Sequence, residues 1–142
     1  IMISKLGISD RYSIMEVLIP LNGSLTDMIT CKALLKDVEF TEEDMIKSGM
    51  SSSEKGITWN RDLVKDVELS PNRLDVLKKA IVQLAQNGGL SGILGTDLVF
   101  KLNFTHDEKN MLSNLVNELD REGKVNNSIL QACLNVKELL NE

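Results

Sequence analysis

The side chains best suited to nucleophilic or acid–base chemistry near neutrality are sparse in this chain: Cys31, Cys133 and the single histidine, His106. A cysteine-dependent hydrolase would need a thiolate within hydrogen-bond reach of the imidazole. The three residues fall in three separate segments, so that reading depends wholly on the fold bringing them together. His106 sits beside Asp107 and Glu108 just after a hydroxyl residue, where an exposed polar residue opening a helix is expected. With no second histidine, and with two cysteines at neither metal-ligand nor redox spacing, no metal set is read here. The glycines of "NGGLSGILGT" (87–96) lack the Gly-Lys-Ser/Thr ending of a phosphate loop, and the acids of "EFTEED" lack the spacing of a calcium loop. The sequence therefore assigns no catalytic residue, no cofactor and no metal ligand.

Composition narrows the class. The chain has 142 residues, 42% hydrophobic and 26% charged, and only 4% aromatic, which suits helices packed through Leu, Ile, Val and Met. Net charge is −5, and the acidity is concentrated in residues 1–70, which hold 8 basic and 12 acidic side chains against 8 and 9 in the rest. Proteins that live on a phosphate backbone carry clustered Lys and Arg, and no such cluster occurs. The longest apolar run, "MEVLIPL", is far short of the roughly 20 residues that cross a bilayer, and "IMISKLG", with one lysine but no apolar h-region or small-residue cleavage site, is not expected to be a secretory signal. The expectation is a cytoplasmic protein with reduced, buried thiols and no membrane partner.

Periodicity places the elements. Ser9 is expected to cap a first helix carrying Ile14, Met15, Val17 and Leu18, stopped by Pro20 and the Asn-Gly turn. Ser24 caps a second, with Leu25, Met28, Ile29, Leu34 and Leu35 read as its inner face and Cys31 and Val38 near its edge. Thr41 caps a short third helix that ends at Gly49. "MSSSEKG" (50–56) reads as an exposed loop, and "ITWN" with "VEL" as the two strands of a small ribbon. Ser70 and Pro71 open the clearest helix, which ends at Gly88. Residues 92–104 are read as helix although their alternation also suits a strand. Thr105 and Glu108 form a capping box for the next helix, and "NSILQACLNVKELLNE" closes the chain as another.

Three of these starts look alike: "VEFTEEDM", "VELSPNRL" and "LNFTHDEK" each run from an apolar residue through a hydroxyl cap into a polar first turn. Their unequal spacing argues against a solenoid. Only the first has three consecutive acids, Glu42, Glu43 and Asp44. Together with Trp59, the lone tryptophan, these form the candidate interface, since Trp is enriched where proteins meet.

The expected fold is mostly α with a small β-ribbon. Residues 1–69 form a winged-helix-like lobe, and residues 70–142 form helical hairpins, separate or continuous with it. The order helix, turn, helix, short helix, ribbon resembles a winged helix-turn-helix, with "TEEDMIKSG" at the recognition-helix position. Acids there would be repelled by phosphate, which points to a protein partner. Across about residues 9–90, Pro20 and Gly23, "FTEE" (40–43) and "ITW" (57–59) also resemble small proteins of unknown function from phages and prophages of Gram-positive bacteria. That resemblance implies a mobile-element origin and a bacterial host cytoplasm, with no catalytic residues to transfer. The leading expectation is a non-enzymatic protein-interaction module. The alternative is a winged-helix nucleic-acid regulator whose homodimer assembles Arg61, Lys65, Arg73, Lys78 and Lys79 into one face.

Overall fold

The first strand of the protein escaped the sequence reading because its partner lies sixty residues away. In the computed structural model, which describes residues 2–141, β1 (Ile3–Leu6) pairs antiparallel with β4 (Lys65–Glu68), in the register Ile3↔Glu68 to Leu6↔Lys65. Ser4, Leu6 and Val67 turn inward, while Ile3 and Lys5 face out, as the two-residue period of a strand requires.

Between these strands run α1 (Ile8–Leu18), α2 (Leu25–Val38), α3 (Glu42–Ser48), β2 (Ser51–Ser53) and β3 (Gly56–Thr58). After β4 come α4 (Pro71–Gln86), two short 3-10 helices at Gly92–Gly95 and Asp97–Lys101, α5 (His106–Arg121) and α6 (Leu130–Leu139). The protein is mostly α with small β-ribbons, as its composition and periodicity imply. No helix among the described residues is long and apolar enough to cross a membrane.

Helices α1, α2 and α4 pack against one another, α5 leans on α4, and α6 covers the first 3-10 helix. One hydrophobic cluster draws on all of them, from Leu6 through Leu34 and Leu77 to Leu139. Polar fasteners fix the register. Asn22 and Gln83 exchange two hydrogen bonds, at 2.9 and 3.0 Å, that pin the α1–α2 turn to α4. The buried Asn135 of α6 donates to the Leu94 carbonyl at 2.9 Å.

Several local expectations need correction. Helix α1 begins one residue before Ser9, with Gly7 at the cap: the Asp62 carboxylate accepts from Ile8 N–H at 2.9 Å and supplies from afar what a local hydroxyl would have given. The inner face of α2 is Cys31, Leu34 and Val38, while Leu25 is 79% and Ile29 62% exposed. Contact with both α1 and α4 turns the helix so that the expected edge becomes its centre.

The ribbon also pairs differently. Strand β3 joins β2 in a hairpin, and β4 joins β1, because Val67 and Leu69 are core residues. The serines read as loop are thus a strand, exposed throughout and therefore without hydrophobic alternation to betray it. Residues 92–104 form two 3-10 helices and no α-helix. Thr96, in extended backbone, breaks the run, and Asn103 at φ 51° ends it in the left-handed region.

Candidate functional site

The acidic start of α3 is built around a residue that the sequence reading passed over. Arg11 lies on the inward stripe of α1 with Ile8, Ile14 and Leu18, and is 1% exposed. A guanidinium so placed needs hydrogen-bond partners for its donors. Its Nε donates to the Val38 carbonyl at 3.0 Å, and its Nη2 donates to the Glu39 carbonyl at 2.6 Å and to Asp44 Oδ2 at 2.9 Å. The Phe40 ring lies 4.6 Å beneath the guanidinium carbon, close enough for a cation–π contact. One side chain of α1 thereby holds the end of α2, the connection and the start of α3.

Asp44 is accordingly turned inward. Its carboxylate also accepts from Thr41 N–H at 3.0 Å, while the Thr41 hydroxyl accepts from Asp44 N–H at 3.1 Å, a complete capping box. Burial alone would raise this carboxyl, but the bonds from Arg11 and Thr41 hold it below its ordinary value. Ser70 caps α4 through its hydroxyl alone and Thr105 caps α5 with a full capping box, neither with a buried arginine behind it.

The far end of α3 is equally fixed. Met50 N–H returns to the Met45 carbonyl and Gly49 N–H to the Ile46 carbonyl, closing a Schellman turn. Gly49 has φ 68°, and a Cβ there would meet the Asn60 amide at 2.6 Å, so both backbone and space call for glycine. Beyond the β2–β3 hairpin the chain comes back: Asn60 and Arg61 N–H both donate to the Ser48 carbonyl, at 2.8 and 3.0 Å.

On this framed helix, Glu42 and Glu43 remain outward, with Glu43 in an exposed pair with Lys47 at 2.7 Å. Met45 and Ile46 face solvent too, 45% and 75% exposed. A cavity of about 330 Å³ opens beside them, lined by Ile46, Lys47, Ser48, Gly49, Asn60 and Arg61. Trp59 follows β3, half-buried and outside the main hydrophobic cluster. The surface therefore combines two exposed acids, one of them paired with the exposed Lys47, two exposed apolar side chains and a shallow cavity on one short, well-anchored helix.

The other sequence candidates are placed elsewhere. Cys31 is in the α1–α2–α4 core with its thiol donating to the Leu18 carbonyl at 3.7 Å, and Cys133 is buried in α6. Burial raises both thiols above their ordinary pKa, the opposite of what a nucleophile needs. His106 is the exposed first residue of α5, with no hydrogen bond to either cysteine. Among the described residues no group of three His, Cys, Asp or Glu side chains could hold a metal ion.

Of the five cations proposed for a nucleic-acid face, four have internal partners. Lys65 donates to the Asp37 carbonyl, Arg73 to the Asp37 carboxylate and the Glu68 carbonyl, Lys78 faces Glu108 and Lys79 bridges Asp27 and Asp75. Compared with known proteins, the chain matches no family model, no curated protein and no solved structure.

Proposed function

We propose that this chain is a non-enzymatic interaction module that grips a protein partner through the outer surface of α3. The supporting observation is the contrast within one acidic triplet. Asp44 is taken up by the buried Arg11, whereas Glu42 and Glu43 stay exposed, Glu43 against Lys47 of the same helix, beside solvent-facing Met45 and Ile46 on a helix braced at both ends. An apolar pair ringed by charge on a short braced helix is the composition of a small docking surface, and Trp59 directly precedes Asn60 of the adjoining cavity wall. A partner of complementary basic character fits the exposed acids. The resemblance of residues 9–90 to phage and prophage proteins supports reading it as an accessory protein of a mobile element, one that would act in the cytoplasm of a bacterial host.

The nucleic-acid alternative draws less support, because Lys65, Arg73, Lys78 and Lys79 already serve neighbouring carbonyls and carboxylates, leaving Arg61 as the outward cation of that set. The test is affinity capture from host lysate before and after nuclease digestion. A protein retained after digestion and released by high salt supports the reading. Retention that vanishes with nuclease, together with salt-sensitive binding to a short duplex, would replace it with the alternative.

A further inference from the structure

A cavity of about 460 Å³ runs beside β1, within the range of roughly 300–1,000 Å³ typical of ligand clefts. It is lined by Ile3, Ser4, Lys5 and Leu6 without a break, by Asp10, and across from them by Gly95–Leu98 and Lys101. Alternate residues would line a cavity over one face of a strand, so an unbroken run means that it follows the strand's edge. No β4 residue lines it, and the edge concerned is the one turned away from β4.

The hydrogen-bond register says what that edge offers. Leu69 N–H donates to the Met2 carbonyl at 2.9 Å, one step beyond the Ile3↔Glu68 pair. Hydrogen-bonded pairs alternate along an antiparallel ladder, so Ser4 and Leu6 exchange bonds with Val67 and Lys65. The N–H and C=O groups of Ile3 and Lys5 therefore point the other way, along the cavity, and none of the four has a hydrogen-bond partner among the described residues. Ser4, only 7% exposed, adds a buried hydroxyl with no hydrogen-bond partner among the described residues. On the facing wall Asp97 and Lys101 carry charges with no ion pair among the described residues.

Independently of the α3 surface, the geometry points to a strand-addition site: the free edge of β1 takes up one extended peptide segment of a partner, antiparallel to β1. Two residues of the segment exchange backbone bonds with Ile3 and Lys5. The residue between them faces Ser4 across a non-hydrogen-bonded pair, where side chains come closest, and a hydroxyl or carboxamide there answers the Ser4 hydroxyl. Charge complementarity adds an acidic side chain towards Lys101 and a basic one towards Asp97. A second folded copy is a poorer occupant, because it would have to bring its own Gly95–Lys101 wall into the same space. Strand addition draws affinity from backbone bonds and specificity from alternate side chains, which suits a cavity whose lining carries both signs of charge.

The test pans a display library of random octapeptides on the full chain, then titrates an enriched synthetic octapeptide into isotope-labelled protein. Shifts confined to 3–6 and 95–101, with exchange of the Ile3 and Lys5 amides slowed on binding, are expected. Lys5→Pro removes an outward N–H and leaves the backbone bonds to β4 in place, losing besides it the exposed Lys5–Asp66 pair at 3.2 Å, which is worth little, and proline is tolerated at such an edge position. It should keep the melting temperature near wild type and weaken binding about tenfold, the worth of about one backbone hydrogen bond. Should Lys5→Pro fail to fold, Ile3→Pro removes the other outward N–H and is read in the same way. Enriched peptides that bind both proline variants like wild type, or no enrichment over an unrelated protein, would overturn the proposal. So would a dimer that Lys5→Pro dissociates, since that gives the edge to a second copy.

Discussion

The guanidinium of Arg11 and the carboxylate of Asp44 meet at 2.9 Å across 33 residues of sequence, and the arginine is almost wholly withdrawn from water. This contact separates one acid of the Glu42–Glu43–Asp44 run from the other two. Asp44 positions α3, and the glutamates are left on the surface that α3 presents.

Removing one partner of a buried pair leaves the other uncompensated, at a cost of roughly 3–5 kcal/mol. Asp44→Ala is expected near the low end, about 3 kcal/mol, because the Val38 and Glu39 carbonyls still accept from Arg11. Glu42→Gln and Glu43→Gln should stay within about 0.5 kcal/mol of wild type, as exposed substitutions do. Urea denaturation of the three variants checks the ordering, and equal losses at all three positions would mean that Asp44 has no special structural place.

The same contact fixes the sign of an acid effect. Asp44 titrates below its ordinary value of 3.8 when folded, so its contribution is fully present above that value and is lost as pH falls through the lower, folded one. Wild type should therefore lose more stability than Asp44→Asn between about pH 5 and pH 2. Parallel stability curves for the two proteins across that window would remove the assigned cause.

Ser4 offers the reverse case, a buried hydroxyl with no hydrogen-bond partner among the described residues. An unsatisfied buried polar group costs about 1–3 kcal/mol, so Ser4→Ala is expected to stabilise the free protein, by about 1 kcal/mol. A loss of stability on thermal unfolding would show that the hydroxyl is in fact satisfied.

How far the sequence led depended on distance. Ser24, Thr41, Ser70 and Thr105 all cap the helices expected of them, because a cap is read from neighbours three residues away. Strand β1 and the α1 cap at Gly7 depend on residues 61–69, and no local pattern announces them. Strand β2 is three serines exposed on both faces, invisible to any test based on alternation. The Arg11 node did leave a trace: a charged residue at the inward spacing of Ile8, Ile14 and Leu18 demands buried partners. The exposure of Met45 and Ile46 left none, since two adjacent apolar residues on a helix of about two turns do not say whether they face in or out.

Thiol chemistry separates the hydrolase reading from the rest. With both cysteines buried and their pKa values raised, alkylation of the native protein near pH 8 should be slow at Cys31 and Cys133 and fast once denaturant is added. Rapid native modification of either one, followed by mass spectrometry, would restore it as a nucleophile.

The interaction reading rests on the outer surface of α3, and one comparison reaches it directly. Wild-type protein and a Glu42→Lys, Glu43→Lys, Ile46→Asp variant serve as paired baits in nuclease-treated host lysate, after thermal unfolding has shown both to be folded. The account expects a protein retained by wild type and reduced at least about tenfold on the variant, the effect of losing roughly 1.4 kcal/mol of binding. Equal retention of the same protein by both baits would contradict it.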